Sequence, residues 1–458
     1  MSPTTLVIFG LPVIAFVAAF VSSRISLGAS IGVLLTVGYF SGIIRANFLH
    51  VLTTFMFDMA VMGVYIGVFI NRPDLVGKLK RSSLASWLFL LAIWPLIIAA
   101  VPVNDILIQM LAFRSTVWLL PLMLLGARVN EDDLTTMARV LVGLNLCALV
   151  AGLYCYFYGV RALYPENAVT QIIYASHDVP GAASMMANYR IPSTFLSSAA
   201  YGGTMLASMP FIVNRLFHPR TDPNEKLWMF AGLLAACIGI AMCGARSPIV
   251  AAVVILLMAW VFSGFSIRVG IPIVLGFAAF TFLVFSNQRF QRILTVAEHN
   301  VFAERLSGSK NFLDYFFEYP LGAGMGSSFG TSIPFFLQAR APRPIGLETE
   351  YSRILIDQGW IGLLLWITFL FWLHVPWPNI KGSRSNFKFG TIMIYAASLT
   401  TWATAIIGTG VLSAIPGSAM LLINMGIIVA RREDFSVIRR MPVRRRPPNP
   451  QQSWQSEL

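Results

Sequence analysis

Charge is the first thing this chain lacks. Asp, Glu, Lys and Arg make up 12% of its 458 residues, about half of the roughly 25% found in a soluble domain. Apolar residues take their place: 57% of positions are Ala, Val, Ile, Leu, Met, Phe, Trp, Tyr or Cys, and the mean hydropathy is +0.71. They come in runs of about 20, the length of helix that crosses the hydrocarbon core of a bilayer. That pattern excludes a soluble globular reading. The alternating segments of about 10 residues that build a membrane barrel are also absent. Helices are then the remaining backbone that satisfies its own polar groups in lipid. The expectation is an all-α fold, a polytopic transmembrane helical bundle.

Other absences narrow the chemistry. The four cysteines, Cys147, Cys155, Cys237 and Cys243, fall inside apolar runs with no CxxC or Cys/His spacing, so they read as small packing residues. The five histidines (His50, His177, His218, His299 and His374) form no HxxxH or HxxE pattern, and there is no GxSxG nucleophile element. No metal and no other cofactor is expected. The N-terminal MSPTTLVIFGLP lacks the basic region of a signal peptide, so the first span reads as retained. The net charge of +13 does not indicate a nucleic-acid partner, because the basic residues sit in short loops and at the end of the chain. Residues 431–458 hold seven arginines (431, 432, 439, 440, 444, 445 and 446) against Glu433, Asp434 and Glu457. Basic residues beside membrane spans report orientation and contact with anionic lipid.

The apolar runs predict thirteen spans, within a range of twelve to fourteen, near 5–22, 27–44, 51–70, 84–103, 107–127, 138–158, 193–214, 228–244, 247–264, 269–286, 354–374, 388–407 and 410–430. Residues 1–430 form one helical domain, and 431–458 a basic cytoplasmic tail, disordered where RRRPPNPQQSWQSEL concentrates Pro and Arg. With thirteen spans, the basic loops holding Arg72, Lys78, Lys80 and Arg81, Arg215, Arg220 and Lys226, and Lys381, Arg384 and Lys388 share one side with the tail. The positive-inside rule makes that side cytoplasmic. Two long connections, about 159–192 and 287–353, then fall outside. Loops of that length are uncommon unless functional or disordered, and the second has helical, amphipathic spacing. Its Phe312, Tyr315, Phe316 and Tyr319 suit a surface at the lipid interface. Inside the membrane Asp58 and Arg114 are costly unless paired or facing a cavity, so they are candidate partners or part of a transport path.

Four outer segments carry the residues able to do chemistry. The first is Tyr189-Arg190-Ile191-Pro192-Ser193-Thr194-Phe195. The second is the tight link Gly244-Ala245-Arg246-Ser247-Pro248. The third runs from Arg305 through KNFLDYFFEYPLGAGMGSSFG, with glycines at 322, 324, 326 and 330. The fourth is Gly346-Leu347-Glu348-Thr349-Glu350-Tyr351-Ser352-Arg353. Arginines at a membrane boundary ordinarily snorkel to headgroups or pair with a carboxylate. Arg190, Arg246 and Arg305 lie where topology disfavours cations, however, and an anionic ligand accounts for them, since guanidinium forks match phosphate oxygens. Arg353 joins them as a candidate. The glycine stretch reads as a tight turn re-entering the membrane, because no βαβ unit surrounds it; Gly322, Gly324 and Tyr351 are candidates for close approach to a substrate. Glu348 and Glu350 read either as first-turn helix electrostatics, with Glu350 pairing Arg353 and Arg353 pairing Asp357, or as a general base for a hydroxyl.

The order of these segments, RIPSTFLSSAAYGG, GARSP, RLSGSKNFLDYFFEYPLGAGMGS and ETEYSRILIDQGWIGLLLW, resembles the bacterial O-antigen ligase and Wzy-type O-antigen or exopolysaccharide polymerase family over roughly residues 185–375. The resemblance implies a GT-C-like bundle with a large periplasmic loop in the inner membrane. It also implies a metal-independent glycosyltransferase whose donor is an undecaprenyl-pyrophosphate-linked glycan, with a flippase and a chain-length regulator as partners. Carried over by position, Arg190, Arg246 and Arg305 would bind the pyrophosphate. The ligases typically have a His-Asn pair where this chain has Glu348-Thr349-Glu350-Tyr351. That departure favours polymerisation, with Glu350 or Glu348 as base, over ligation to an acceptor lipid. A transporter or flippase is the reading from another class.

Overall fold

The computed structural model describes residues 3–73, 83–171, 173–174, 190–218, 221–262, 314–328, 334–340, 349–375, 387–406 and 410–440, with residues 77, 267, 270–271, 274, 278 and 312 as isolated positions. Among the described residues every regular element is helical. In chain order these are α1 (Pro3–Ser22), α2 (Leu27–Asn47), α3 (Val51–Thr54), α4 (Met56–Asn71), α5 (Ser83–Ala99), α6 (Ile106–Val117), α7 (Pro121–Gly126), α8 (Glu131–Tyr158), α9 (Ser198–Leu216), α10 (Pro223–Cys243), α11 (Arg246–Phe262), α12 (Glu350–His374), α13 (Phe387–Thr404) and α14 (Gly417–Arg440). Short 3-10 turns cover Val160–Ala162 and Phe335–Arg340.

Five stretches are long and apolar enough to cross a membrane: Leu27–Asn47, Ile106–Gly126, Glu131–Tyr158, Pro223–Cys243 and Glu350–His374. Shorter apolar helices at Ile8–Ser22, Met56–Asn71, Ser83–Ala99, Ser247–Met258 and Gly417–Arg431 accompany them. This is the architecture of a multi-pass membrane protein. Each expected span on described residues overlaps helix, although 193–197 and 410–416 are not helical; the span at 269–286 lies mostly outside the described residues. Local chemistry moves several boundaries. The 51–70 run is split at Phe55 into α3 and α4, and the 107–127 run is split before Pro121. Helix α8 begins at Glu131, well before 138, because the Asn130 and Asp133 side chains each accept from the other's backbone N–H and three acids face the positive end of the dipole. At the other extreme α14 runs to Arg440, past the expected boundary at 430. Arg431 reaches Glu131 at 2.5 Å and holds that last stretch against α8. Residues 441–458 lie outside the described part.

Helices in lipid lack a hydrophobic drive to associate and pack through small residues that let backbones approach. Where α7 crosses α14, a Cβ on Gly126 would stand 2.2 Å from Ile423 O, and one on Gly426 1.9 Å from Met123 O. A buried polar chain crosses the same bundle: the Tyr39 hydroxyl donates to Asn145 Oδ1 at 2.7 Å, and Asn145 Nδ2 donates to Ser208 Oγ at 2.9 Å. Gly426→Ala is therefore expected to cost about 1–3 kcal/mol by overpacking, read as a lower unfolding temperature in detergent. Gly143→Ala on α8, where nothing stands within 4 Å, should leave that temperature unchanged or raise it.

The bundle has two different ends. At one, Arg139 and Arg215 flank Glu225 at 2.9 and 2.7 Å, Arg431 meets Glu131, and the Arg72 guanidinium donates to Ser23 O and Ile25 O. The other end carries the described parts of the long connections. Arg72, Arg215 and Lys226 share the first end, in keeping with the charge count.

Candidate functional site at the loop-bearing end

Helix α12 is interrupted at Gly359 (φ 68°, ψ −175°), so Glu350–His374 is two helices joined at a kink. The turn Pro320–Ser328 docks into this break. Ala323 N donates to Ile356 O at 2.7 Å, Trp360 N donates to Pro320 O at 3.1 Å, and Trp94 Nε1 donates to Gln358 O at 2.8 Å. These bonds satisfy groups that the interruption releases from the helical ladder. Gly322, Gly324 and Gly326 have φ of 86°, 95° and 90°, a region that side chains rarely enter. The buried Asp357 carboxylate accepts from Gly326 N at 3.2 Å, from Ser328 N at 3.0 Å and from the Ser328 hydroxyl. Asn104 adds bonds to Met325 O and Ser327 Oγ at 3.1 and 2.8 Å.

The glycine stretch is thus a tight turn, as its sequence indicates, and Gly322 and Gly324 each lie close to other parts of the chain. A Cβ on Gly322 would lie 2.8 Å from Gly359 N, and one on Gly324 2.9 Å from Val103 Cβ. They serve backbone-to-protein packing. Phe312, Tyr315 and Phe316 pack against the helical core, with Phe316 6.0 Å from the Trp360 ring, and the outward-facing residue is Phe317, 79% exposed.

Glu350 opens α12 behind the N-cap Thr349, whose hydroxyl accepts from Ser352 N. Its side chain is fully buried. Oε2 accepts from Gly410 N at 2.7 Å and Val411 N at 3.0 Å, while Oε1 accepts from Arg353 Nη1 at 3.0 Å. Its own N–H donates to Ala405 O, and the Tyr351 hydroxyl donates to Trp402 O at 3.0 Å. The i,i+3 pairing of Glu350 with Arg353 read from the sequence is present. Asp357, expected to pair with Arg353, turns to the glycine turn. Glu350 is therefore a clasp between α12 and the α13–α14 connection, both of its carboxylate oxygens accepting hydrogen bonds. Arg353, likewise held by Glu350 and only 11% exposed at its side chain, is not presented as a free anion ligand.

The first two segments meet directly. Ile191 N donates to Met242 O at 3.4 Å, and a Cβ on Gly244 would be 3.5 Å from Arg190 Cγ. Gly244, left-handed at φ 64°, ends α10, and Arg246 starts α11. Arg190 is exposed above this corner. Behind it the segment is pinned: Ser193 has φ 55°, its hydroxyl donates to Ala148 O at 2.5 Å, and the Tyr164 hydroxyl lies 2.7 and 2.9 Å from Ser193 O and Phe195 O. Burial pushes the Tyr164 phenol well above its usual pKa. Thr194 O accepts from Ile43 N on α2 at 3.0 Å. The 410–417 connection, clasped by Glu350, packs on both groups: a Cβ on Gly38 of α2 would stand 2.5 Å from Pro416 Cβ, and one on Gly417 3.7 Å from the Gly203 backbone of α9. The described parts of the four segments thereby lie at one end of the bundle.

Arg305, Glu348 and Tyr189 lie outside the described residues, as does the side chain of Arg246. Asp58 and Arg114, expected partners, form a two-pronged pair: Arg114 Nε donates to Asp58 Oδ1 at 2.8 Å, and Nη2 to Oδ2. Two features escape the sequence reading, the break at Gly359 and the role of Asp357. Their signal is present in ILIDQGW, an acid and a glycine two residues apart in an apolar run, where a buried carboxylate must find donors. Cys147, Cys155, Cys237 and Cys243 are all free thiols. Among the described residues no three His, Cys, Asp or Glu side chains gather as a metal site requires. Set against known proteins, the chain matches no family's sequence model and no curated protein.

Proposed function

We propose that the chain is a membrane glycosyltransferase that polymerises undecaprenyl-pyrophosphate-linked oligosaccharide repeat units into O-antigen or exopolysaccharide on the periplasmic face of a bacterial inner membrane. The observation that supports this reading is that the described parts of the four segments lie at the loop-bearing end, with Arg190 and the start of α11 at one corner. A hydroxyl oxygen of one lipid-linked unit attacks the anomeric carbon of another. The C–O bond to pyrophosphate breaks, and the leaving diphosphate takes the electron pair. Arg190 and Arg246, with Arg305, stabilise the charge on that leaving group, while the hydroxyl proton passes to a carboxylate. With Glu350 committed to its clasp, Glu348 is the glutamate assigned to that proton. A flippase that delivers the units and a chain-length regulator are the expected partners.

The test is polymer growth by purified protein in liposomes supplied with lipid-linked repeat units. Arg246→Ala is expected to lower the rate by about 10²-fold, the effect of removing one transition-state donor, leaving unpolymerised units. Normal chain length in a stably folded Arg246→Ala variant overturns the assignment. Chains transferred to an acceptor lipid, rather than lengthened on the carrier, would mark a ligase. A transporter draws support from the broken helix α12, because discontinuous helices build substrate sites in such proteins. That break, however, is filled by the chain's own turn and by Asp357.

A further inference from the structure

Among the described residues, the loop-bearing end holds a charge that no carboxylate balances. Arg45 stands in the last turn of α2, one turn beyond Gly42, where the 194–196 segment packs. Its Nε is buried with no hydrogen-bond partner among the described residues, while the residue as a whole is half-buried. It lies within electrostatic reach of both Asp58 and Arg114. Asp58 on α4 is already matched by Arg114 on α6, and Asp105 at the start of α6 is matched by Arg340 at 3.3 Å. His50, at the head of α3, spends Nδ1 on Leu52 N. Among the described residues, two guanidinium groups and one carboxylate leave a surplus of one positive charge. The Arg114 guanidinium sits 5.1 Å over the Phe55 ring, and that ring is 6.4 Å from Phe336 of the second long connection. An uncompensated guanidinium beside apolar walls is costly.

We infer that Arg45, together with the edge of Arg114 not used by Asp58, binds a phosphoryl group at this end of the bundle. A singly charged phosphodiester cancels the surplus. Its tetrahedral oxygens can accept from two separate guanidinium groups, whereas a planar carboxylate serves one fork at a time. This site is separate from the Arg190–Arg246 corner and holds whether or not the chain transfers glycans.

Delipidated full-length protein in neutral detergent, titrated with either phosphatidylglycerol or inorganic phosphate and followed by its rise in unfolding temperature, tests the proposal. At least one probe should bind. Binding of phosphatidylglycerol alone assigns a lipid headgroup, and binding of inorganic phosphate assigns a soluble phosphate ligand. Arg45→Gln should weaken that binding by about tenfold or more, as expected for loss of a charge-assisted bond. Asp58→Asn frees the second edge of Arg114 and should strengthen binding several-fold. Arg24→Gln, an exposed residue at the opposite end, should change nothing. If Arg45→Gln fails to fold, Arg45→Lys, which keeps the charge and loses the fork, should still weaken binding. The proposal is overturned if neither probe binds, if acetate binds as tightly as phosphate, or if a folded Arg45 variant binds like the unaltered protein. Folded Asp58→Asn protein with weaker binding has the same consequence.

Discussion

Glu350→Gln is expected to destabilise the protein by about 3–5 kcal/mol, the cost of leaving one member of a buried ion pair without its partner. The carboxylate meets three donors, Gly410 N, Val411 N and Arg353 Nη1, from a position with no exposure. A glutamine offers one acceptor oxygen, and its amide nitrogen would point N–H groups at a donor already there. Arg353 would then be left charged in a poorly solvated site. Glu350→Asp, one methylene shorter, keeps the charge but not the reach, so it should fall between the two. The measurement is thermal unfolding in detergent beside polymer growth. The two should decline together, because the clasp holds the 410–417 connection that packs on α2 and α9. A Glu350→Gln protein that melts like the unaltered one yet forms no polymer would return this glutamate to the role of base.

How much of this could be seen beforehand depended on the reach of each interaction along the chain. The helices were legible because apolar runs of membrane length admit few alternatives, and the pairing of Asp58 with Arg114 was legible because an intramembrane charge demands a partner. The Glu350–Arg353 contact was also readable, since residues three apart share a helical face. The partners that decide the role of Glu350 are 60 and 61 residues away. Those of Asp357 are 31 and 29 residues back, and no spacing rule links them. Nothing in the sequence around Arg45 marks it out; only the folded bundle reveals that its Nε has no partner among the described residues. The helical limit of the last segment was missed for the same reason, because Arg431 finds Glu131 across 300 residues. Composition thus constrained the scaffold closely, while the site depends on long-range contacts that follow from packing.

The most severe single change expected in the candidate site removes no polar group at all. Gly359→Ala should unseat the Pro320–Ser328 turn. At φ 68° and ψ −175° Gly359 occupies a region essentially restricted to glycine, where another residue costs about 1–3 kcal/mol in strain. The space is closed as well: a Cβ there would lie 2.5 Å from Leu321 C and 2.8 Å from Leu321 O. Both contacts are backbone atoms, so no side-chain rotation relieves them. Either the turn withdraws, or α12 straightens and loses its place against it. In both cases Asp357 loses donors from Gly326 and Ser328 while still buried, which adds the roughly 1–3 kcal/mol of an unsatisfied group, more for a charged one. Gly359→Ala should therefore destabilise by about 3 kcal/mol or more, at the upper end of ordinary point substitutions. A cysteine placed at Ser327, buried at 5% exposure, should react with a water-soluble maleimide much faster in the Gly359→Ala background than in its absence. Equal labelling and equal unfolding temperatures would show that the turn does not depend on the break. Asp357→Asn, which leaves the backbone free to keep its path, should loosen the same turn less.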